Sequence, residues 1–347
     1  MMKDKEVLSV QNPGFGGIIG HEEVVRYLRK AAAEHRVSHA MLITGEEGAG
    51  RKTIANALAM SLVCENPKTD PEFDACGVCS ACRKAMSGNH PDIIRVSRSK
   101  PTVISVDDIR EQVVSTAEIL PYESRYKIYI IPEAEKMNEQ AQNALLKTIE
   151  EPPEYVVILL LSTGPEAMLP TVLSRCVKLP LLAVEDRKTE AYLEREFSLP
   201  PYEAKLAAAF SQGNIGRARR AAADETFLAR RDKVLGLVKK IHGMNTAAMS
   251  EAIKSMKEEK DAVTEILDLM LLWYRDVLYF KAAADIDGLI FSNEISAIRA
   301  QAAASSYEGL TEIIDAADRC RVRLKANVNF ELALELFLLT IKENCNA

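Results

Sequence analysis

The chain is poor in aromatic residues: one tryptophan and 6% aromatics in 347 residues. That singles out no aromatic-rich class of protein. Long apolar runs are absent as well. The longest, Tyr155 to Leu161, is far too short to cross a bilayer as a helix. No apolar leader opens the sequence, because MMKDKEVLSV is mixed and charged. These absences lead to the expectation of a soluble, cytoplasmic protein with no membrane partner. Positive charge is not in excess: 44 Lys and Arg stand against 50 Asp and Glu, a formal net charge of −6. Bulk attraction to a polyanion is thereby excluded, and any contact with DNA must use a local basic patch. A disulfide framework is also unexpected. There are seven cysteines, but four of them cluster at metal-ligand spacing.

What is present is apolar sequence in quantity, 48%, in a chain long enough for two or three domains. Up to about Pro180, short apolar strands alternate with amphipathic helices. AMLITG (Ala40–Gly45) reads as a buried strand entering a glycine-rich loop. The segment Arg51–Cys64 follows as a helix with Ile54, Leu58 and Leu62 on one face. KIYII (Lys127–Ile131) is a second strand. Asn138 is a helix N-cap, and the helix it opens is stopped by Pro152 and Pro153. YVVILLLS (Tyr155–Ser162) is apolar on both faces, as a central strand of a parallel sheet must be. The expected fold class is α/β, a P-loop-type core with a parallel sheet, over 1–180 and including a cysteine module at 64–82. A small helical domain over 181–223 and an all-α domain over 224–347 complete it.

Cys64, Cys76, Cys79 and Cys82 are spaced C-x11-C-x2-C-x2-C. Four ordinary cysteines or a C-x-x-C redox pair are alternatives. A tetrahedral zinc ion needs four soft ligands about 2.3 Å from one point, and two-residue gaps let a tight turn present several thiolates together. The intervening ENPKTDPEFDA is too polar to bury itself without a clip, which favours the metal. Four protein ligands fill the coordination sphere, so the expected zinc is structural. Cys176, Cys320 and Cys345 stand alone and are read as inert. A zinc-dependent DNA-binding module fits poorly: the region offers chiefly Arg83 and Lys84 and no set of stacking aromatics.

GEEGAGRKT (Gly45–Thr53) resembles the phosphate-binding pattern G-x-x-x-x-G-K-[ST]. The glycines Gly45, Gly48 and Gly50 survive. Arg51 stands at the lysine position, as a bulkier, forked cation. Lys52 stands at the Ser/Thr position and cannot bind Mg²⁺, because an ammonium has no lone pair. Thr53 comes one residue late. At the end of the second strand, IYIIPEAE puts Pro132 where a magnesium-orienting aspartate belongs and Glu133 at the position of the water-activating glutamate. Two metal-binding positions are lost together. A glycine turn that packs a helix on a sheet is therefore the expectation, with ATP binding doubtful. Farther on, Ser162 and Thr163 end the third strand, where open α/β sheets place ligands. Arg175, in LSRC, is either a surface arginine or one donated in trans to a neighbour's γ-phosphate. The latter role raises rates by about 10³–10⁵.

HAMLITGEEGAGRKTIANALA, the cysteine insertion, KIYIIPEAEKMNEQAQNALLKTIEEPP and LPTVLSRC together resemble the AAA+ core of the bacterial DNA polymerase III clamp-loader subunits. RCRVRLKANVNFELALELFLL is similar to the collar helices of that family, so the resemblance covers nearly the whole chain. It implies an AAA+ core, a small lid and a helical collar that joins a five-subunit ring. Within the family, the gamma/tau type is the ATPase motor and the delta-prime type a stator with a degenerate nucleotide site. Arg51, Lys52 and Pro132 fit the delta-prime type, and so does a length that ends with the collar. The resemblance then implies that Arg175 reaches the ATP site of an adjacent gamma/tau subunit. The other partners it implies are a delta subunit and, through the assembled ring, the sliding clamp and primed DNA. Arg217 takes the place of the sensor 2 arginine and Thr163 that of sensor 1. A helix-cap or surface role is the alternative for Arg217. Leu332, Leu336 and Leu339 form a stripe read as core or subunit interface. An active gamma/tau-type ATPase is the competing function.

Overall fold

The computed structural model describes residues 14–326 and 328–344. Cys345 and the MMKDKEVLSV segment lie outside the described residues. Contacts divide the chain into two units. One runs to Lys188 and takes in Gly213–Arg217; the other comprises Thr189–Gln212 and the chain from Ala218 onward. The segment 181–223 is shared between them.

In chain order the first unit contains α1 (Glu22–Ala33), β1 (Ala40–Thr44), α2 (Arg51–Val63), α3 (Ser80–Ser87) and β2 (Ile93–Arg95). Then come α4 (Val106–Ile109), a π-helical turn at Arg110–Val114 and α5 (Ser115–Ala117). β3 (Lys127–Ile131), α6 (Glu139–Glu150), β4 (Val156–Ser162), α7 (Pro170–Leu173) and β5 (Val177–Pro180) follow. The five strands are all parallel, in the order β2-β3-β4-β1-β5. This is the α/β P-loop-type core expected from the sequence. Alternation along each strand divides the apolar side chains between two faces. Met41 and Ile43 join Ile54, Leu58 and Leu159 on the α1–α2 side. Leu42 joins Ile131, Ala141, Leu145 and Ile158 on the α6 side. The central strand β4 is buried along its whole length.

Helix α6 starts and stops where local chemistry dictates. The Asn138 side chain accepts the Ala141 N–H at 2.8 Å, satisfying one of the free donors of the first turn. Pro152 and Pro153 end it. Strand pairing sets Thr44 opposite Ser162, and Ile131 opposite Leu160. Gly45, Pro132 and Thr163, the residues that follow β1, β3 and β4, therefore share the carboxyl edge of the sheet.

The second unit has helices and no strand among its described residues, from α8 (Asp186–Phe197, whose first turn belongs to the first unit) through α9 (Pro201–Ser211) and α10 (Ile215–Ala223, whose first three residues belong to the first unit). It continues with α11 (Phe227–Lys240), α12 (Thr246–Glu258), α13 (Val263–Ala283), α14 (Ile295–Ala304), α15 (Tyr307–Lys325) and α16 (Phe330–Asn344). Trp273, fully buried on α13, donates its indole N–H to Gln301 Oε1, so its polar edge is satisfied inside the core. On α16, Ala333, Leu334, Phe337, Leu338 and Ile341 are buried, whereas Leu332, Leu336 and Leu339 are exposed. Of the two roles expected for that stripe, a place in this unit's core is thus excluded. No helix among the described residues is long and apolar enough to cross a membrane.

Candidate functional site

The glycine-rich loop joins β1 to α2. Gly48 has φ +90° and Gly50, the N-cap of α2, has φ +98°, a backbone that glycine adopts without strain. Three contacts hold the loop. Gly45 N–H donates to Ser162 O at 3.3 Å, fixing the loop's start to β4. His21 Nε2 lies 3.0 Å from Ala49 O, and burial keeps this imidazole below its ordinary pKa, so the neutral ring donates. The third contact comes from the Gly213–Arg217 turn. Asn214 Nδ2 donates to Glu47 O at 2.8 Å, and Gly216 N–H donates to Gly48 O at 2.9 Å. Backbone meets backbone here: a Cβ on Gly216 would stand 2.7 Å from Gly48 Cα. Arg217 follows by one residue, and its N–H donates to Asn214 Oδ1 at 3.1 Å.

Charged groups line the same edge. Arg51 is half-buried, and burial lowers its pKa against the opposing pull of Glu135, Glu47 and Glu133. Lys52 and Thr53 are exposed on α2. Glu133, in a left-handed backbone conformation at φ +52°, pairs with Arg98 at 2.7 Å and with Lys136. Glu135 accepts the Thr163 hydroxyl at 2.7 Å. Burial raises the Glu135 pKa, but the hydrogen bonds from Thr163 and neighbouring groups outweigh it, so the carboxyl sits below its usual range. The strand-end glutamate is thus tied to two cations of its own chain, and the proline before it offers no ligand atom. Arg98, Lys136, Glu135 and Gly216 belong to no motif in the sequence.

The four cysteines converge. Their sulfurs all lie within 4.8 Å of one another, with Cys64 and Cys79 4.0 Å apart and Cys76 and Cys82 3.9 Å apart. Those two separations approach the edge of a tetrahedron with metal–sulfur bonds of about 2.3 Å, roughly 3.8 Å. None of the four is in a disulfide. Backbone N–H groups point at the sulfurs: Cys76 N to Cys64, Cys79 N to Cys76, and Cys82 N to Cys79, at 3.3–3.4 Å. Burial raises the Cys76 pKa, but the N–H groups of Val78 and Cys79 and the nearby thiols bring it down to about 6. Burial pushes Cys64 and Cys82 up. A cation is what lets all four ionise together, so the donor set fits a metal. The module is also fastened to the core: the buried Asp74 carboxylate accepts Phe15 N–H at 2.9 Å and Gly16 N–H at 2.8 Å. Cys176 and Cys320 lie outside the cluster, their thiols pushed up to about 11 by burial.

Arg175 follows α7. Its Nε lies 2.8 Å from Glu150 Oε1, and Nη1 donates to Thr171 O at 2.9 Å, with 40% of the side chain exposed.

Residues 20–185 match the family described as DNA polymerase III, delta subunit, and residues 225–343 match its C-terminal counterpart. The Bacillus subtilis DNA polymerase III subunit delta-prime is 30% identical over 325 residues, covering 92% of this chain and 95% of that protein. The chain belongs to the DNA polymerase III delta-prime family. The Escherichia coli tau subunit is 36% identical over 180 residues, which span 52% of this chain but only 27% of tau. A gamma subunit-related protein from Thermotoga maritima aligns with a TM-score of 0.44 at 19% identity, covering 92% of this chain and 99% of that one. Likeness of that size says nothing about function.

Proposed function

We propose that the chain is a non-hydrolysing subunit of a DNA polymerase III clamp loader. It completes a neighbour's ATPase site with Arg175 and does not turn over ATP itself. The observation that carries this reading is the state of Glu133. The residue that should activate water is neutralised by Arg98 and Lys136, behind a proline that cannot orient magnesium. A general base must reach the proton it removes, and this one is engaged elsewhere. Lys52 and Thr53, exposed on α2, leave the phosphate loop without a magnesium-binding hydroxyl.

What this chain offers a neighbour is a guanidinium on an exposed turn. A positioned arginine stabilises the charge that develops on a transferring γ-phosphoryl group. Partners in this reading are gamma/tau and delta subunits, with the sliding clamp and primed DNA engaged through the assembled ring. The helical region 224–347 acts as the collar, using the exposed Leu332, Leu336 and Leu339, and the preceding helices act as the lid. Zinc is the metal that the four thiolates would hold; it would crosslink the module and leave no open position for chemistry.

The test is a reconstituted loader carrying Arg175→Ala. The served site loses about 10³–10⁵ in rate, so clamp-stimulated turnover falls by at least that site's share. Unchanged turnover removes the role from Arg175.

A further inference from the structure

Glu150 is the last residue of α6 and belongs to no nucleotide-binding motif. Its carboxylate sits 2.8 Å from the Arg175 Nε, and the Arg175 Nη1 is held at 2.9 Å by the Thr171 carbonyl and reaches Ser174 Oγ at 3.4 Å. These contacts engage Nε and Nη1. Nη2 makes no hydrogen bond among the described residues. The guanidinium is therefore held at Nη1 by hydrogen bonds and at Nε by a charge contact.

Stability does not account for the grip. The two side chains are 40% and 45% exposed, and ion pairs this open contribute little to folding. Orientation does account for it. Arginine is a flexible side chain ending in a rigid planar fork. The hydrogen bond at Nη1 and the carboxylate beside Nε restrict rotation about the last bonds, so part of the cost of ordering the fork is met before any ligand arrives. Both anchors sit on short, well-defined structure. Glu150 is fixed at the end of α6 by the Pro152–Pro153 stop, and Thr171 is in the first turn of α7, which packs on α6.

We propose that Glu150 is a positioning residue for Arg175, holding the guanidinium toward the γ-phosphate in a neighbouring subunit. The inference rests on the reading of Arg175 as the residue donated in trans. In this role Glu150 acts through Arg175.

The experiment uses the complete loader with its clamp and primed DNA, and four forms of this chain: Arg175→Ala, Glu150→Ala, Glu150→Gln and the Glu150→Ala/Arg175→Ala double variant. The turnover lost in Arg175→Ala defines what the guanidinium supplies. Glu150→Ala is expected to lose most of that same part. The loss falls on kcat, with KM for ATP within about twofold of the parent, as for an interaction made only in the transition state. The double variant should be no slower than Arg175→Ala. Glu150→Gln should recover little of the loss, because a neutral amide removes the charge that pairs with the guanidinium. The melting temperature of the chain should not move. If Arg175→Ala slows the loader and Glu150→Ala does not, the positioning role is overturned while the function of Arg175 stands. A double variant slower than Arg175→Ala, or full recovery with glutamine, also overturns it. If Arg175→Ala itself has no effect, both readings fall.

Discussion

Gly216→Ala tests how firmly the phosphate loop is built into the fold. The added Cβ would lie 2.7 Å from Gly48 Cα and 2.8 Å from Gly48 O. Both are backbone atoms, so no flexible side chain can yield. One of the two backbones must move, and the 2.9 Å bond from Gly216 N–H to Gly48 O is stretched or lost. A lost hydrogen bond costs about 0.5–1.5 kcal/mol, and forcing a methyl group into a close contact about 1–3 kcal/mol. Against this, alanine is better than glycine in a helix by up to about 1 kcal/mol, and Gly216 lies in the first turn of α10. The net expectation is a destabilisation of about 1–3 kcal/mol. Calorimetry should record this as a melting temperature lower by roughly 2–4 °C per kcal/mol. Hydrogen exchange should quicken at Gly48–Gly50 before it quickens in β4. An unchanged or higher melting temperature, with undisturbed exchange at the loop, would refute the claim that this turn clamps it.

Three further expectations follow from other parts of the chain. Removing the metal by chelation, or changing Cys79→Ser, should expose the Phe15 and Gly16 amides to exchange, because the Asp74 carboxylate that binds them is carried by the cysteine module; the sheet should stay protected, and metal analysis should give about one zinc per chain, as four thiolates around one tetrahedral ion require. Asp92 is buried, which raises its pKa, but the N–H groups of Tyr122, Glu123 and Ser124 and the Ser124 hydroxyl outweigh that and hold it below the usual carboxylate range. Its stabilisation is therefore present above an unfolded pKa of about 3.9 and lost as pH falls through the lower folded value. Asp92→Asn should lower the urea midpoint at pH 7 and narrow its gap to the parent at low pH; an equal gap at both would count against the assignment. Leu336→Asp, on the exposed face of α16, should leave the melting temperature within about 0.5 kcal/mol equivalent yet impair assembly with loader partners by size-exclusion chromatography, and intact assembly would remove this face from the interface.

Much of the core was legible because its signals are local. β1, β3 and β4 are apolar runs bounded by turn residues, α6 has its cap and its proline stop in sequence, and the cysteine spacing announced the cluster. β2 was not legible: three residues, Ile93–Arg95, are too few to show a period. Nor were the pairing of Glu133 with Arg98 and the grip of Glu150 on Arg175, since residues 35 and 25 positions apart meet only through the sheet and the α6–α7 packing. On α16, FELALELFLL is apolar on more than one face. Periodicity could not say that Leu334, Phe337 and Leu338 turn inward while Leu332, Leu336 and Leu339 turn out. Gly216 was illegible for a different reason: its contact with the loop is made backbone to backbone and carries no side-chain signal, whereas the charge stands on the neighbouring Arg217.

In the proposed function this chain works through its neighbours and not on ATP of its own. The most direct measurement is turnover of Mg²⁺-ATP by the purified chain, with and without Glu133→Gln, alongside a calorimetric titration of the same sample. No turnover is expected in either form. Turnover that Glu133→Gln abolishes would make the chain an active ATPase of the gamma/tau type instead.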